Sequence, residues 1–344
     1  MSTLKVNGIR HTGASSDAVT LASDGSCIVK ATNNLWNRNV LINSNFSVNQ
    51  RGSFNANTGE YTLDMWYHNV SGATSTVTQE TQTVGSEIEG QDKYYKQVVA
   101  TGNNHAGIRY KVEDVKTITP GTWTLSFWAK GTTPPGGLQV AAGQDFGTSG
   151  SADVDIASQT ATALTGSWVR QSINITVPSF SGKTINAGSW FQFTIGQGSD
   201  TGTAAWELNI ANIQLEKGSQ MTDYEPPRSY ADELARCQRY FYKIGDGVNR
   251  TGFATVVAHN SGASYGVAHF PVTMRTTPAL TKDGANSDYY VTGNSGNQDI
   301  TGLATEGLNK DGVTYQVSGS FTQGYGYWFN NKTTAGTLSF SAEL

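Results

Sequence analysis

The sequence predicts an all-β protein: an antiparallel β-sandwich, a short helix and then a second, smaller β-domain. Three observations support this. Apolar residues alternate with polar ones over many short segments, which is the pattern of half-buried strands. Charged residues make up only 15% of the chain, and Thr, Ser, Asn and 39 Gly take their place, a balance typical of short strands joined by many turns. Turn-rich stretches separate the segments, as in sandwiches.

The charge pattern argues against a protein that binds nucleic acid. The formal net charge is −4, and no run of Lys or Arg forms the basic face that a phosphate backbone requires. No stretch reaches the roughly 18 apolar residues of a membrane helix, and the opening residues lack the apolar core of a secretory signal. Cys27 and Cys237 lie far apart, which favours reduced, buried thiols in a chain made in a reducing cytoplasm.

Residues 1–35 are predicted to be a leader made of short strands around the turn signal Asp24-Gly25. Its apolar positions are Leu4, Val6, Ile9, Val19, Leu21, Ile28 and Val29. Three short strands cannot bury a core alone. The leader is therefore expected to pack on the main domain, on its own copies in an oligomer, or on a docking partner.

The clearest strand alternation lies in residues 36–228, the predicted sandwich. Segments of this region are apolar on one face and polar on the other. The predicted inward residues are Trp123, Leu125, Phe127, Ala129, Val169, Ile173, Ile175, Val177, Phe191, Phe193, Ile195, Leu208 and Ile210. After Ile210 the pattern resumes at Ile213 and Leu215, three residues on instead of two. That step predicts a β-bulge or a change of face.

Residues 229–243 are predicted to form a connecting helix. Pro226 and Pro227 end the preceding strand, and Ser229 followed by Asp232 is typical of a helix N-terminus. The positions of a 3-4-3 seam are Ala231, Leu234, Gln238 and Phe241. A seam this short, about one and a half heptads, fits packing on a neighbouring sheet and a neck helix in an oligomer equally well.

Residues 244–344 are predicted to form the second, smaller β-sandwich domain. Strands and turns return after the helix, with apolar sets of their own. These sets are Tyr265, Val267, Phe270, Val272 and Met274 and, near the end, Leu338, Phe340 and Ala342. We expect them to form a core separate from that of the first sandwich.

Six blocks of sequence occur in the order and at the spacing of a known module. They are residues 39–52, 61–67, 126–130, 210–218, 224–227 and 233–241. Together they resemble a sandwich module that is common in tail-fibre and receptor-binding proteins of tailed bacteriophages, a module similar to carbohydrate-binding jelly rolls. Residues 2–7 and 21–25 are similar to the N-termini of virion proteins in phages of marine bacteria, and residues 270–278 and 340–344 resemble the distal domain of those proteins. Periodicity alone predicts only two β-domains.

The resemblance implies a non-enzymatic phage tail-fibre or appendage subunit that recognises a host-cell glycan, usually as a homotrimer. Residues 1–35 would dock to other virion proteins, residues 36–228 would be the shaft-proximal or glycan-binding module, and residues 244–344 would be the tip. The expected location is the virion, assembled in the host cytoplasm, with no nucleic-acid partner and no membrane insertion. A head or tail decoration protein without receptor binding is the alternative. A polysaccharide depolymerase is disfavoured, because the sequence has neither internal repeats nor a carboxylate cleft signature.

No constellation of residues indicates catalysis. The five histidines show no HxH or HExxH spacing, so a zinc site has little support. Two pairs of acids lie two residues apart, Asp153 with Asp155 and Glu87 with Glu89. We expect both pairs to be solvated surface acids, because a pair on one strand seldom straddles a glycosidic bond.

No cofactor is expected, apart from a structural calcium ion of the kind that sandwich carbohydrate modules often carry. Asn45, Asp64 and Glu216 are the candidate oxygen ligands. Their spacing does not by itself indicate a site.

Aromatic side chains are the candidate ligand-binding residues, because a ring stacks on the apolar face of a sugar. Glycines alternate with Tyr325 and Tyr327 ahead of Trp328, and one small domain cannot easily bury all three rings. Trp328 would fit a core or trimer-interface position equally well. Tyr94 and Tyr95 are neighbours on a predicted strand, so one ring must point outward. The tryptophans that are instead expected in the core are Trp66, Trp123 and Trp168.

Overall fold

The structure is a computed structural model that describes residues 6–10, 12–13, 19–21, 27–29, 38–52, 59–83, 85, 88, 92–198, 202–245, 249–294 and 296–344. Within these residues the chain is almost entirely β, with one α-helix. The predicted all-β fold class is therefore confirmed. Of the helices in the described ranges, none is both long enough and apolar enough to cross a bilayer.

The described part of the leader forms a small antiparallel sheet in the order β1-β2-β3. Its strands are β1 (Gly8–Ile9), β2 (Val19–Leu21) and β3 (Cys27–Val29). Two of them coincide with the strands that were predicted on either side of the Asp24-Gly25 turn, a turn that itself lies outside the described residues. Val6 and Ile9 are exposed, and Leu4 also lies outside the described residues. What covers the leader remains a prediction.

In the part of the chain that the structure describes, the sandwich has nine antiparallel strands. They are β4 (Glu60–Tyr61), β5 (Trp66–Thr81), β6 (Lys93–Glu113), β7 (Gly121–Thr132), β8 (Leu138–Asp145), β9 (Val154–Thr160), β10 (Val169–Val177), β11 (Trp190–Gln197) and β12 (Trp206–Lys217). The long strands β5 and β6 pair with each other over nearly their whole length and run through both layers of the sandwich.

Strand β6 divides the hydrogen-bonded sheet into two layers. Its first half pairs with β12, which continues to β7 and β10, and we call this the first layer. Its second half, residues 107–113, pairs with β11, which continues to β8 and β9, and this is the second layer. Inward side chains of both layers meet in one hydrophobic core, which includes Phe127 from the first layer and Phe193 from the second.

The predicted alternation of the sandwich strands is confirmed. The inward residues on β7, β11 and β12 are buried, as are Trp66, Trp123 and Trp168, while Val169 is only partly covered. Burial of a large apolar side chain contributes roughly 1.5–3 kcal/mol, so this aromatic-rich core dominates the stability of the domain. The predicted irregularity after Ile210 is a β-bulge between Ala211 and Gln214, where Asn212 adopts a left-handed φ of 49°.

Helix α1 (Tyr230–Gln238) packs against the sandwich. Ser229 caps it, as predicted, by accepting a hydrogen bond from the Asp232 backbone N–H at 3.1 Å. Leu234 contacts the sandwich core, and Cys237 is completely buried. The predicted seam does not continue as a helix, because Phe241 already belongs to the next strand. The helix therefore packs on a neighbouring sheet, which is one of its two predicted roles. The other role, a neck helix in an oligomer, stays a prediction.

The C-terminal domain contains a three-stranded and a seven-stranded antiparallel sheet, in the orders β13-β22-β16 and β18-β17-β21-β14-β15-β20-β19. Its strands are β13 (Phe241–Ile244), β14 (Gly252–Ala258), β15 (Ala263–His269), β16 (Ala279–Lys282), β17 (Tyr289–Gly293), β18 (Gly296–Asp299), β19 (Gly302–Leu308), β20 (Gly312–Ser318), β21 (Gly326–Asn331) and β22 (Leu338–Ser341). The two sheets enclose a core of their own.

The predicted inward faces of the C-terminal domain are right on one strand and wrong on another. Leu338 and Phe340 are buried on β22, as expected. On β15, however, Val267 is exposed, and the inward positions belong to Ser264 and Gly266. A Cβ atom on Gly266 would lie 2.3 Å from the Thr255 carbonyl oxygen. The inner side of β15 therefore has room only for very small side chains, and the larger apolar residues face outward.

The end of the chain packs on the sandwich through a buried polar junction. The Arg51 guanidinium forms an ion pair with Glu343 and lies 3.5 Å from the centroid of the Phe241 ring. Tyr61 donates a hydrogen bond from its hydroxyl to the Leu344 carbonyl oxygen at 2.9 Å. These contacts place Leu344 beside the outer face of the second layer.

Candidate functional site

The outer face of the second layer carries a row of polar side chains at matched positions. Because directly paired residues of antiparallel strands point to the same side, the register aligns Tyr67 on β5, Arg109 on β6, Thr194 on β11 and Ala141 on β8. A neighbouring row aligns Lys111, Gln192, Gly143 and Asp155 on β6, β11, β8 and β9.

These rows border a groove of about 420 Å³ that crosses the strands of the second layer. Most of its lining side chains are amides, hydroxyls or charged groups. The polar residues that line it include Asn69, Arg109, Gln139, Asp155, Gln192 and Thr194. Side-chain amides and hydroxyls both donate and accept hydrogen bonds, so the groove can bind a ligand that is rich in hydroxyl groups.

Two glycines leave the main chain bare beside the groove. Gly107 on β6 pairs directly with Gly196 on β11. A Cβ atom on Gly107 would lie 2.5 Å from the Ile195 carbonyl oxygen, and one on Gly196 would lie 2.2 Å from that of Ala106. Any other residue at these positions would collide with the neighbouring strand. Where these two glycines pair, the surface beside the groove therefore consists of main chain.

Arg109 stands in the middle of this surface and is half-buried. Its Nε atom donates a hydrogen bond to the Thr194 hydroxyl at 3.3 Å, and its guanidinium carbon lies 5.7 Å from the centroid of the Tyr67 ring. Burial lowers the pKa of Arg109, but arginine stays protonated in proteins. The groove therefore holds a fixed positive charge.

At one end of the second layer, Lys111 and Trp190 form a second cationic contact. The Lys111 ammonium lies 3.8 Å from the centroid of the Trp190 ring and donates a hydrogen bond to the Leu344 carbonyl oxygen at 3.1 Å. The pKa of Lys111 is lowered, first by burial and then by the charge of Arg109. No described residue accepts a hydrogen bond from the Trp190 Nε1 atom.

Two of the aromatic residues predicted to bind a ligand are in the core, and the prediction is wrong for their side chains. Tyr95 is 0% exposed because it points inward, opposite Ile210. Tyr327 is 3% exposed; its ring packs edge-on against Phe321 and its hydroxyl accepts a hydrogen bond from the Thr322 N–H at 2.9 Å. Neither ring has a free face on which a sugar could stack.

Tyr94 faces outward, as expected for one member of the Tyr94-Tyr95 pair, and is half-buried. It lines a recess of about 310 Å³ on the first layer. Its ring meets Trp168 edge-on, with the centroids 5.4 Å apart, and the Lys130 ammonium lies 4.7 Å from the centroid of Trp168. The recess therefore presents ring edges and one cation, beside the polar side chains of Thr81, Gln82 and Thr83.

Tyr325 and Trp328 are exposed, by 53% and 66% respectively. Trp328 lies on the outer face of the seven-stranded sheet, opposite Thr255 and Thr292. Tyr325 precedes β21 in a turn. The structure leaves these two rings accessible, so their role in ligand binding stays a prediction.

A crevice of about 670 Å³ lies between the start of the sandwich and helix α1. Three of its ionised groups already have partners in the chain, since Arg236 contacts Glu233 at 3.0 Å and Glu225 contacts Arg38 at 4.0 Å. The crevice also lies where the chain emerges from residues 30–37, which the structure does not describe. It is therefore a weaker candidate than the groove.

The acidic residues considered for metal binding or catalysis do not form a site in the described part of the chain. No group of three His, Cys, Asp or Glu residues lies close enough there to hold an ion. Asp64 accepts hydrogen bonds from Gln50, and Glu216 accepts them from Gln214 and Thr222.

The carboxylates of Asp64 and Glu216 thus already accept hydrogen bonds from donors within the protein. Asn45 accepts a hydrogen bond from the Ser47 N–H at 3.2 Å. Asp153 and Asp155 are exposed, as predicted for surface acids. Glu87 and Glu89 lie outside the described residues.

The groove residues were not among the predicted site residues. A local signal existed on β11, where Gln192 and Thr194 alternate with the predicted inward residues Phe191, Phe193 and Ile195, and none was recognised for Arg109 on β6. Alternation along a strand does not predict which strands are neighbours in the sheet. The strand order β5-β6-β11-β8-β9 brings outward residues from distant parts of the chain together.

No protein-family model matches the sequence, and no curated protein matches it significantly. Among solved structures, the chain is similar to a Bacteroides thetaiotaomicron protein with a proposed sugar-binding role, at 12% identity over 52% of this chain and 100% of that one, with a TM-score of 0.34. It is also similar to the CBM22-1 xylan-binding domain of Paenibacillus barcinonensis Xyn10C, at 16% identity over 52% of this chain and 96% of that domain, with a TM-score of 0.28.

A third similar structure is the enzymatically active domain of bacteriophage CBA120 tailspike protein 4, at 14% identity over 52% of this chain but only 21% of that one, with a TM-score of 0.29. All three TM-scores lie below 0.5. These similarities therefore carry no argument about function, and the groove must be interpreted from its own residues.

Proposed function

We propose that this protein binds a glycan of the host-cell surface through the groove of the second layer. The observation that carries the proposal is the array of amide, hydroxyl and guanidinium groups that line the groove. Several hydrogen-bonding groups at fixed positions suit a ligand with many hydroxyls. The strands that hold these groups pair over several residues on each side, so the array is preorganised, which reduces the entropy lost on binding.

We propose further that the chain is a subunit of a bacteriophage tail fibre or related virion appendage. The support is the sequence resemblance of residues 39–52 and the blocks that follow it. In this proposal residues 1–35 dock to other virion proteins and the subunit is a homotrimer. Light scattering at micromolar concentration should then give three times the chain mass of 36.8 kDa, and a monomer would contradict it.

We propose no catalytic role. The two surface acids are neighbours, with Asp153 just before β9 and Asp155 on it, and both are exposed. Two acids so close along one segment do not enclose a glycosidic bond from two sides. The protein should therefore bind a host polysaccharide without shortening it. Release of reducing ends that is abolished by changing one carboxylate would favour a depolymerase instead. A decoration protein without receptor binding would bind no host glycan at all.

The groove is tested by a matched pair of substitutions on a glycan array and by calorimetry with the best ligand. Gln192→Ala removes an amide from the groove, and Gln316→Ala removes the same group from the outer face of the seven-stranded sheet, where it donates to the Tyr265 hydroxyl at 3.1 Å. We expect Gln192→Ala to weaken binding about 5- to 20-fold, as expected for one lost hydrogen bond. Gln316→Ala should leave binding unchanged. The reverse result would move the site to the C-terminal domain.

A further inference from the structure

We propose that the groove selects glycans that carry an anionic group, a carboxylate or a sulfate ester, and that Arg109 is the residue that binds this group. The inference rests on the proposed function, because it names the class of glycan that the same groove would take. It is carried by the surroundings of one arginine.

Arg109 differs from five other arginines of the described residues, each of which forms an ion pair with a carboxylate of this chain. These pairs are Arg38–Glu225, Arg51–Glu343, Arg170–Asp223, Arg236–Glu233 and Arg239–Glu113. In the described residues Arg109 has no carboxylate at ion-pair distance, and its contacts are the hydroxyl of Thr194 and the ring of Tyr67. The chain supplies a counter-ion to each of these five arginines, and it supplies none to Arg109 in the described residues.

The geometry leaves the bidentate edge of Arg109 open to a ligand. Its Nε atom is the one that donates to Thr194, and no described residue accepts a hydrogen bond from the two Nη atoms. Because the side chain lines the groove, an oxyanion in the groove can accept from both Nη atoms at once. Two parallel N–H···O bonds of this kind are among the strongest polar contacts in proteins.

The charges around Arg109 favour an anion at this point and a neutral sugar further along. Lys111 lies two residues away on the same face of β6 and adds a second positive charge. The acidic residue of the groove, Asp155, lies on β9, separated from β6 by β11 and β8, and is exposed. An anionic substituent would therefore bind over β6 and β11, while sugar hydroxyls contact Gln139 and Asp155 over β8 and β9.

The test compares two oligosaccharides with the same backbone, one neutral and one carrying uronate groups, together with a sulfated form of the neutral one. Calorimetry measures each against the wild-type protein, Arg109→Gln and Arg109→Lys at low and at high salt. We expect the wild type to prefer an anionic form, with a preference that decreases as salt is added. Arg109→Gln should weaken binding of the anionic form about 10- to 100-fold, as for a lost charged hydrogen bond. Binding of the neutral form should change less than about twofold.

Arg109→Lys keeps the charge but loses the planar pair of donors, and is expected to be intermediate. The uronate and the sulfated ligands show which oxyanion the groove accepts. If Arg109→Gln binds the anionic form as tightly as the wild type does, the inference is wrong. Should Arg109→Gln fail to fold, the wild type and Arg109→Lys still test the inference. A wild type that shows no salt-dependent preference for an anionic ligand would contradict it.

The outcomes separate this inference from the proposed function. Binding that depends on Gln192 but shows no preference for an anion would overturn the role of Arg109 and leave the groove as a site for neutral glycans. If no glycan binds in a way that depends on Gln192, both proposals fail.

Discussion

The two β-domains each have an exposed sheet face, and these faces differ in what they offer a ligand. On the second layer of the sandwich, most outward side chains around the groove are polar, and Gly107 and Gly196 leave the main chain bare where they pair. On the seven-stranded sheet, Trp328 and Val267 stand exposed, and a recess of about 140 Å³ lies beside Val267. An accessible aromatic ring supplies one stacking surface, whereas the groove supplies several hydrogen-bonding groups at fixed positions. Exposure and the ability to hold a ligand are thus separate properties.

The largest expected effect separates the two domains by weakening their cores one at a time. Phe329→Ala removes a fully buried ring that packs on Phe253, with centroids 5.0 Å apart, and Phe193→Ala does the same beneath the groove. Each substitution should lower the free energy of unfolding of its own domain by about 3–5 kcal/mol. Glycan binding, measured while both domains are folded, should survive Phe329→Ala but not Phe193→Ala. Loss of binding in folded Phe329→Ala would mean that the two faces form one site.

The junction between the domains should make stability depend on pH. Burial raises the pKa of Glu343 to about 7, with Asp64 adding to the shift and Arg51 opposing it. In the unfolded chain the pKa would be near 4.5, so this group stabilises the fold below about pH 4.5, and that stabilisation is lost as the pH rises through 7. The loss should amount to roughly 1–3 kcal/mol.

His68 acts in the opposite direction. Burial lowers its pKa to about 4 from 6.5, so its contribution is present above pH 6.5 and is lost as the pH falls through 4. Denaturant unfolding of the wild type and of Glu343→Gln at pH 5 and pH 8 isolates the carboxyl group. The wild type should lose stability between pH 5 and pH 8 as Glu343 ionises, and Glu343→Gln should lack this loss. The free energy of unfolding at pH 8 relative to pH 5 should therefore be higher in Glu343→Gln than in the wild type. An unchanged pH dependence would show that Glu343 is ionised throughout this range.

The fold could be predicted from the sequence wherever one face of a strand carries large apolar residues. Phe127, Phe193 and the bulge after Ile210 follow directly from alternation, because a one-residue change in register would expose the whole set. The prediction was wrong on β15, where Gly266 and Ser264 occupy the inner face. The reason is the close approach of the Thr255 main chain, which no pattern along β15 alone can reveal.

The candidate site could be predicted much less well. Arg109 and Thr194 are 85 residues apart in sequence and meet only because β6 pairs with β11. The search for aromatic sugar-binding residues led instead to Tyr95 and Tyr327, whose strand positions place them in the cores. Local alternation alone predicted that one ring of the Tyr94-Tyr95 pair points outward. The structure confirms this for Tyr94.

The smallest expected effect concerns Trp328. This exposed residue tests whether the groove or the C-terminal sheet binds the glycan. Its ring is 66% exposed and has Thr255 and Thr292 as its lateral neighbours in the sheet. Trp328→Ala should therefore change the free energy of unfolding by no more than about 0.5 kcal/mol, as is usual for surface substitutions. If the groove is the binding site, glycan affinity and cell attachment should also stay within twofold of the wild type. Calorimetry and a cell-binding assay on a variant that melts cooperatively would measure both. Lost attachment by that folded variant would show that the exposed ring at the C-terminal face, and not the polar groove, recognises the host.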